Sequence, residues 1–497
     1  MGSHLTGTQP TDKVPEHLSD NPAGTQPVNA AGALVGSQTT GQGANSSVER
    51  TLTVIGLGYI GLPTAVAFAS NGWRVIGVDV KPEIVAEVNR GKLPFVEAGL
   101  EELLQQVVAD GSLVAQVEPE HTQVFIISVP TPFRENHEAD LSFIEAACQS
   151  IAPLLQGDEL IVLESTSPPG TTELMADWIG AARPDLRMER AGGEATATGT
   201  VTAGVTKTPS GVKTKAEIAG SPTPPSDDRP AVLFAHAPER VLPGRIVYEM
   251  THNDRIVGGL SPRATQWAYE VYSSFCDGEI STTDARTAEM AKLTENSFRD
   301  VNIAFANELS LICEELGVDV WELIELANHH PRVNILQPGP GVGGHCISVD
   351  PWFIVAADRK NSRLIQTARE VNDSKPAWVV AKAAAALAQL PANQQQVAVL
   401  GLAFKPDVDD LRESPAIEIA KELCRQYPQA KFWAVEPNVS ELPHELAGFD
   451  NVELVTLEEA LAASSTVLLL VDHAPFKQIT LAQLDGKQVI DTRGIWR

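Results

Sequence analysis

Five cysteines in 497 residues, Cys148, Cys276, Cys313, Cys346 and Cys424, are odd in number, scattered, and never in a Cys-x-x-Cys pair. That pattern excludes a disulfide framework and a zinc ribbon, and predicts reduced thiols in a cytoplasmic protein. No apolar stretch follows a basic segment at the N-terminus, and no uninterrupted apolar run approaches a membrane span. Basic residues are also scarce: 37 Lys and Arg against 64 Asp and Glu give a formal charge of −27. Nucleic acid and anionic membrane, which demand clustered bases, are excluded as expected partners. An anionic substrate has to be held by particular lysines and arginines against the overall field.

What is present is enough chain for two or three domains. Residues 1–49 are rich in Thr, Gly, Ser, Asn and Pro without periodicity and read as a disordered leader. From Thr51 onward short apolar runs (51–55, 74–78, 124–129, 160–163, 232–235, 255–257) alternate with helical patterns, the signature of a doubly wound parallel sheet. A Thr/Gly/Ala/Pro/Ser stretch at 189–229 interrupts it and reads as a disordered insertion. A long helical pattern then covers 284–316, in which Leu309, Ile312 and Leu316 read first as core and second as a subunit interface. A second alternating unit follows, with strands expected at 397–401, 431–435, 466–471 and 489–491. The expected fold is α/β: two Rossmann-like doubly wound parallel sheets joined by a long central helix. Its domains are expected at 50–283, 284–375 and 376–497.

The run Thr51 to Ile55 leads into Gly56-Leu57-Gly58-Tyr59-Ile60-Gly61 and then into a helical pattern. This is a dinucleotide fingerprint in its proper context: Gly56 permits the tight turn, Gly58 lets a pyrophosphate approach the backbone, and Gly61 lets helix and strand pack closely. Asp79, at the end of the next strand, stands where a carboxylate accepts both ribose hydroxyls and repels a 2′-phosphate, so NAD is the expected cofactor.

The other chemistry lies in Gly339-Pro340-Gly341-Val342-Gly343-Gly344-His345-Cys346. A cysteine in a glycine-rich loop is a candidate nucleophile, whereas the other four cysteines, in apolar or helical surroundings, read as small buried hydrophobes. Asp350, four residues on, is placed to orient water or a lysine. Lys292 and Asn296 are four apart, so they share one helix face and can point at one oxygen. An ammonium and an amide suit an oxygen that develops negative charge. His329, His330, His345 and Cys346 match no metal-ligand spacing, so no metal is expected.

These strings, with Pro238-Glu239-Arg240-Val241-Leu242-Pro243-Gly244, Ser165-Thr166-Ser167-Pro168-Pro169-Gly170 and Lys405-Pro406-Asp407-Val408-Asp409-Asp410-Leu411-Arg412, resemble the UDP-glucose/GDP-mannose dehydrogenase family, and most closely its UDP-N-acetyl-D-mannosamine branch. The resemblance implies oxidation of a UDP-sugar C6 alcohol to the carboxylate with two NAD in succession, through a thiohemiacetal and a thioester on Cys346. It implies that Glu239 is the base for thioester hydrolysis, that Thr166 helps place the water, and that Asp350 and Lys292 share the first proton. Tyr59, Ile60, Val129, Thr131 and Thr166 join the glycines and Asp79 on the cofactor. Glu239, Arg240, Val241, Lys292, Asn296, Gly341, Gly343, Gly344, Phe404, Lys405 and Arg493 contact substrate, and Arg332 reaches a neighbouring subunit's site. A homodimer or higher homo-oligomer, built on the long helix, is the implied assembly, and an acidic sugar for surface polysaccharide the implied product. UDP-N-acetylglucosamine or UDP-glucose is the alternative substrate. A two-electron hydroxy-acid dehydrogenase and a non-catalytic nucleotide-sugar sensor are the more distant readings: Cys346 and the second α/β unit count against the first, and the presence of candidate nucleophile, base and oxyanion groups against the second.

Overall fold

The computed structural model describes residues 49–95, 97–134, 137–191, 227–241, 244–344 and 346–497. The expected leader, the greater part of the expected insertion, and His345 lie outside the described residues.

Two sheets form, as the alternating pattern requires. The first contains β1 (Thr51–Ile55), β2 (Arg74–Val78), β3 (Leu113–Gln116), β4 (Val124–Ile127), β5 (Leu160–Leu163), β6 (Arg187–Met188), β7 (Ala231–His236), β8 (Arg255–Gly259) and β9 (Ile280–Asp284). Its strand order is β3-β2-β1-β4-β5-β7-β8-β9, with β6 beside β7, and every pairing is parallel except β7 with β8. Because helices cover both faces, the central strands are apolar throughout. Alternate residues enter two cores: Leu52, Val54, Val124 and Ile126 point to one, Ile55, Phe125, Ile127 and Ile161 to the other. Strand order reverses between β1 and β4, where ligands bind in sheets of this type.

The second sheet runs β12 (Val452–Leu454), β11 (Lys431–Val435), β10 (Gln396–Leu400), β13 (Thr466–Leu469), β14 (Gln488–Asp491), all parallel. It repeats the first sheet's opening with one difference. After β10, Gly401 (φ +91°) turns the chain, and the backbone N–H groups of Leu402 and Ala403 donate to Glu436 at the end of β11 (2.8 and 3.0 Å). His473 closes over that carboxylate, its Nε2 3.0 Å away while its Nδ1 accepts from the Asp407 N–H (2.9 Å). The acid that would greet a ribose is thus satisfied internally and buried.

Between the sheets the sequence pattern is half the story. The helix Ala285–Leu316 forms, capped by Asp284, which accepts from the Thr287 N–H (3.0 Å) and hydroxyl (2.6 Å), and stopped by left-handed Gly317 (φ +66°). A second long helix, Arg363–Ala388, packs along it, so two helices rather than one join the domains. The second helix runs through Pro376, and the boundary expected at 375/376 therefore falls within a continuous helix.

A buried polar seam fixes the register of the pair. Arg369 and Asn372 donate to Asp300 (2.5 and 2.8 Å), Asn307 donates to Asn372 (2.8 Å), and Lys375 donates to Ser310 (2.8 Å). The far side of the first helix is apolar and exposed: Phe298 is 68%, Phe305 51% and Leu316 70% accessible, and Ile312 is also exposed. The core expected at Ile312 and Leu316 is thereby corrected, since the buried apolar stripe runs instead through Leu293, Ala306 and Cys313. Leu309 is partly buried.

Candidate active site

Construction of the site starts at the nucleotide loop. Gly56 is left-handed (φ +96°), and a Cβ there would lie 2.2 Å from the Ser128 carbonyl oxygen; at Gly61 it would lie 1.9 Å from the Gly56 oxygen. These two glycines are demanded by the turn itself. At Gly58 a Cβ would meet nothing within 4 Å, so the protein's own packing does not ask for glycine there. An approaching pyrophosphate does, and the residues present fit the dinucleotide. Asp79 accepts from the Leu57 N–H and the Lys81 N–H (both 3.0 Å), which orients its carboxylate at the loop. Ile60 precedes the helix Gly61–Ser70 as its N-cap. Tyr59 turns to Glu97 (3.3 Å), and burial, with that neighbouring carboxylate, pushes its hydroxyl up to about 12. Glu97 also accepts from the backbone of Gly244 (2.8 Å) and Ile246 (2.9 Å), so one carboxylate seats the nucleotide loop against the loop carrying Glu239 to Val241.

At the ends of β4 and β5, Ser165 and Val129 exchange two hydrogen bonds (2.9 and 2.8 Å), and the Thr131 hydroxyl donates to the Thr166 carbonyl (2.7 Å). Sequence-distant cofactor candidates thus meet at the switch point.

The long helix carries the next group. Asn296 donates to Asp350 at 2.5 Å, and both are buried. Asp350 opens the helix Asp350–Ala357, and its N–H donates to the Cys346 carbonyl (2.8 Å), which folds the cysteine back over the carboxyl. Lys292 is close enough to act on both groups: burial raises the Asp350 carboxyl to about 6, against the pull of Lys292 and the Asn296 hydrogen bond. Cys346 is exposed. Desolvation raises its pKa, Asp350 adds to the rise, and Lys292, Arg412 and Arg299 oppose it. Cys346, Asp350, Lys292 and Asn296 are therefore one constellation.

The glycine loop at 339–344 joins that constellation to the second sheet. A Cβ at Gly344 (φ +85°) would lie 2.8 Å from the Phe404 ring, one at Gly343 2.3 Å from the Glu413 oxygen, and one at Gly339 2.6 Å from an Arg493 guanidinium nitrogen. One at Gly341 would lie 2.8 Å from Pro415. Gly339 and Gly344 thus leave room for Arg493 and Phe404 on the loop, and Gly341 and Gly343 for Pro415 and the Glu413 backbone. Lys405 sits over the Phe404 ring (5.7 Å), Arg493 is held by Asp472 (2.8 Å), and Asn307 of the helix seam accepts from the Gly339 N–H (2.9 Å).

Four further expected residues have other surroundings. Glu239 is ion-paired at 2.7 Å with Arg255, both nearly inaccessible, and Arg255 lies over the rings of Tyr272 and Phe275 (5.2 and 5.0 Å). Burial and Glu239 push the neighbouring Glu164 carboxyl well above its ordinary range, opposed by Arg255 and by donation from Thr64 (2.9 Å) and Tyr272 (3.2 Å). The expected base Glu239 is thus a solvent-excluded, ion-paired carboxylate in this structure. Arg240 pairs with Glu295 (2.6 Å), and Val241 packs on the first core. Arg332 lies exposed after the helix Val320–Asn328. Glu289, Glu97 and the Glu164–Arg255 cluster were missed by motif reading. Only Glu289 carried a signal, its place on the Lys292–Asn296 face.

Three family models match in order along the chain: the NAD binding domain of the UDP-glucose/GDP-mannose dehydrogenase family over residues 50–193, its central domain over 286–374 and its UDP binding domain over 398–497. The chain belongs to the UDP-glucose/GDP-mannose dehydrogenase family. It is an NAD-dependent oxidoreductase acting on a UDP-sugar. A relative in this family, the UDP-N-acetyl-D-mannosamine dehydrogenase of Escherichia coli K12, is 48% identical over 453 residues, 90% of this chain and 99% of that one. The NDP-N-acetyl-D-galactosaminuronic acid dehydrogenase of Ralstonia nicotianae is 49% identical over 447 residues, 90% of this chain and 96% of that one. Among solved structures, the UDP-D-ManNAc dehydrogenase of Pyrococcus horikoshii is 35% identical with a TM-score of 0.74, over 90% of this chain and 96% of that one. Among the described residues no helix is long and apolar enough to cross a membrane.

Proposed function

We propose that this family member oxidises the C6 alcohol of a UDP-N-acetylhexosamine, UDP-N-acetyl-D-mannosamine foremost, to the carboxylate in two successive two-electron steps centred on Cys346. The observation that carries the reading is the meeting of a thiol, a carboxyl, an ammonium and an amide beside the loop on which Phe404 and Arg493 lie.

Lys292 and Asn296 hold the C6 oxygen, and Asp350 takes the hydroxyl proton as the first hydride leaves. The Cys346 thiol loses its proton to solvent and its sulfur adds to the aldehyde, forming the S–C bond and an alkoxide that faces Lys292. Loss of the second hydride leaves the thioester. Once Asp350 has released its first proton to solvent, it takes one from a water placed with the help of Thr166; that water adds to the thioester, and cleavage of the C–S bond releases the carboxylate and returns the thiolate. NAD, when bound at Gly56, Gly58, Gly61 and Asp79, accepts the hydride in each oxidation. Gly341, Gly343, Gly344, Phe404, Lys405 and Arg493 hold the nucleotide diphosphate.

The exposed stripe of Phe298, Phe305, Ile312 and Leu316 is the dimer face, and it brings Arg332 toward the partner's site; a dimer mass in sedimentation at micromolar concentration checks this. The enzyme works in the cytoplasm, and its uronate product feeds a surface polysaccharide. The likeness to the E. coli enzyme supports the mannosamine substrate. The likeness to the R. nicotianae enzyme supports an N-acetylated galacto-configured sugar as a second reading.

The test is kcat/KM for UDP-N-acetylmannosamine, UDP-N-acetylglucosamine, UDP-N-acetylgalactosamine and UDP-glucose offered separately. UDP-N-acetylmannosamine is expected to exceed each of the others by about 10-fold or more. A preference for UDP-glucose would overturn the substrate.

A further inference from the structure

Glu289 has no part in the chemistry above, yet it sits on the catalytic helix one turn before Lys292 and two before Asn296, facing the same way. It is almost wholly buried. One of its oxygens accepts from the Gly170 N–H (2.5 Å), and the other from the Thr172 N–H (2.8 Å) and the Thr172 hydroxyl (2.6 Å). All three donors belong to the start of the helix Thr171–Ala182, whose own N-cap, Gly170, has no side chain to satisfy them. Helices ordinarily receive such a cap from the preceding Ser, Thr, Asp or Asn. Here it comes from another element, 117 to 119 residues away in sequence.

What precedes Gly170 is the loop that carries Ser165 and Thr166, bound through Val129 and Thr131 to the switch point of the first sheet. One carboxylate therefore couples the cofactor side of the site to the helix that holds the substrate oxygen. Next to it, Glu173 of the capped helix pairs with Arg286 of the catalytic helix (2.7 Å), but on the exposed surface, where such pairs contribute little.

We propose that Glu289 is a positioning residue: by capping the helix Thr171–Ala182 from the catalytic helix, it fixes the separation between the Thr166 loop and the Lys292–Asn296 pair, and with it the distance over which hydride is transferred. This rests on the reading of Lys292 and Asn296 as the groups that hold the C6 oxygen. Hydride transfer is steeply sensitive to such distances, and a shift of about 1 Å costs on the order of 100-fold in rate.

The experiment is single-turnover NADH formation by Glu289→Gln, Glu289→Asp and Lys292→Ala, with protiated and C6-dideuterated UDP-sugar, beside dissociation constants for NAD and UDP-sugar and thermal unfolding. Gln keeps the volume but turns one acceptor into a donor facing donors; Asp keeps the charge but is one methylene too short. Both are expected to slow the first hydride step by about 10- to 100-fold and to enlarge the isotope effect, with both dissociation constants within about threefold of wild type. A Glu289→Gln rate within about twofold of wild type, or one lowered only in proportion to NAD affinity or folded fraction, would overturn the proposal. Lys292→Ala separates the two layers: if it leaves the hydride step unchanged, the reading on which the tether depends falls; if it slows that step while Glu289→Gln does not, only the tether falls.

Discussion

At the residue scale, burial is used here to hold protons in reserve. Asp350, raised to about 6, is protonated below that pH and a carboxylate above it, so it becomes a proton acceptor just under neutrality. The kcat/KM profile is accordingly expected to show an acid limb near pH 6, rising with pH, and Asp350→Asn to abolish that limb and lower the rate by about 100- to 10,000-fold. Linkage gives stability the opposite slope. The folded state binds this proton more tightly than the unfolded chain does, so the stabilisation is fully present below about pH 4 and is lost as pH rises through 6. Asp350→Asn should therefore melt higher than wild type at pH 8, an acid limb that persists in the variant being the contrary result. The sequence placed Asp350, Lys292 and Asn296 through motif and helix spacing, because those relations are short-range. It gave no warning that Glu239 pairs with Arg255, a strand residue whose aromatic lid is Tyr272 and Phe275; no local pattern encodes such a meeting.

Elements divide the glycines by cause. Gly61 is required by backbone contact inside the turn, and Gly58 is not. Gly61→Ala is expected to destabilise the first domain by about 1–3 kcal/mol, seen as a lower midpoint in urea. Gly58→Ala is expected to leave the midpoint unchanged while raising the KM for NAD about 10-fold or more. Equal loss of stability in both variants would contradict the assignment of Gly58 to the ligand. Strands buried on both faces, such as β1, β4 and β5, are legible as apolar runs. β9, Ile280–Asp284, is mostly polar and largely exposed, and β3 is half-exposed, so neither announces itself. The helix Arg363–Ala388 was hidden for two reasons: its buried face includes Arg369, Asn372 and Lys375, and Pro376 reads as a breaker. Tertiary packing against the first long helix overrides that local cost.

For the whole molecule, two sheets of similar plan carry different roles. Both sheets turn at a glycine and bring an acid from the second strand to the turn, but Asp79 faces the open loop whereas Glu436 is sealed by His473. The second sheet meets the active site instead through Phe404 and Arg493, laid on the glycine loop that ends at Cys346. The charge of −27 is compatible with an anionic substrate because the cations that matter, Lys292, Lys405 and Arg493, are gathered where the two sheets and the long helix converge. A thiol at that convergence is needed only if the sugar is oxidised twice without release of the aldehyde. NADH formed per UDP-sugar consumed, compared between wild type and Cys346→Ala, measures this directly. Two NADH per sugar from the wild type, with no second NADH and no carboxylate product from the variant, is the expected result; a single NADH from the wild type, or two from the variant, would contradict the account.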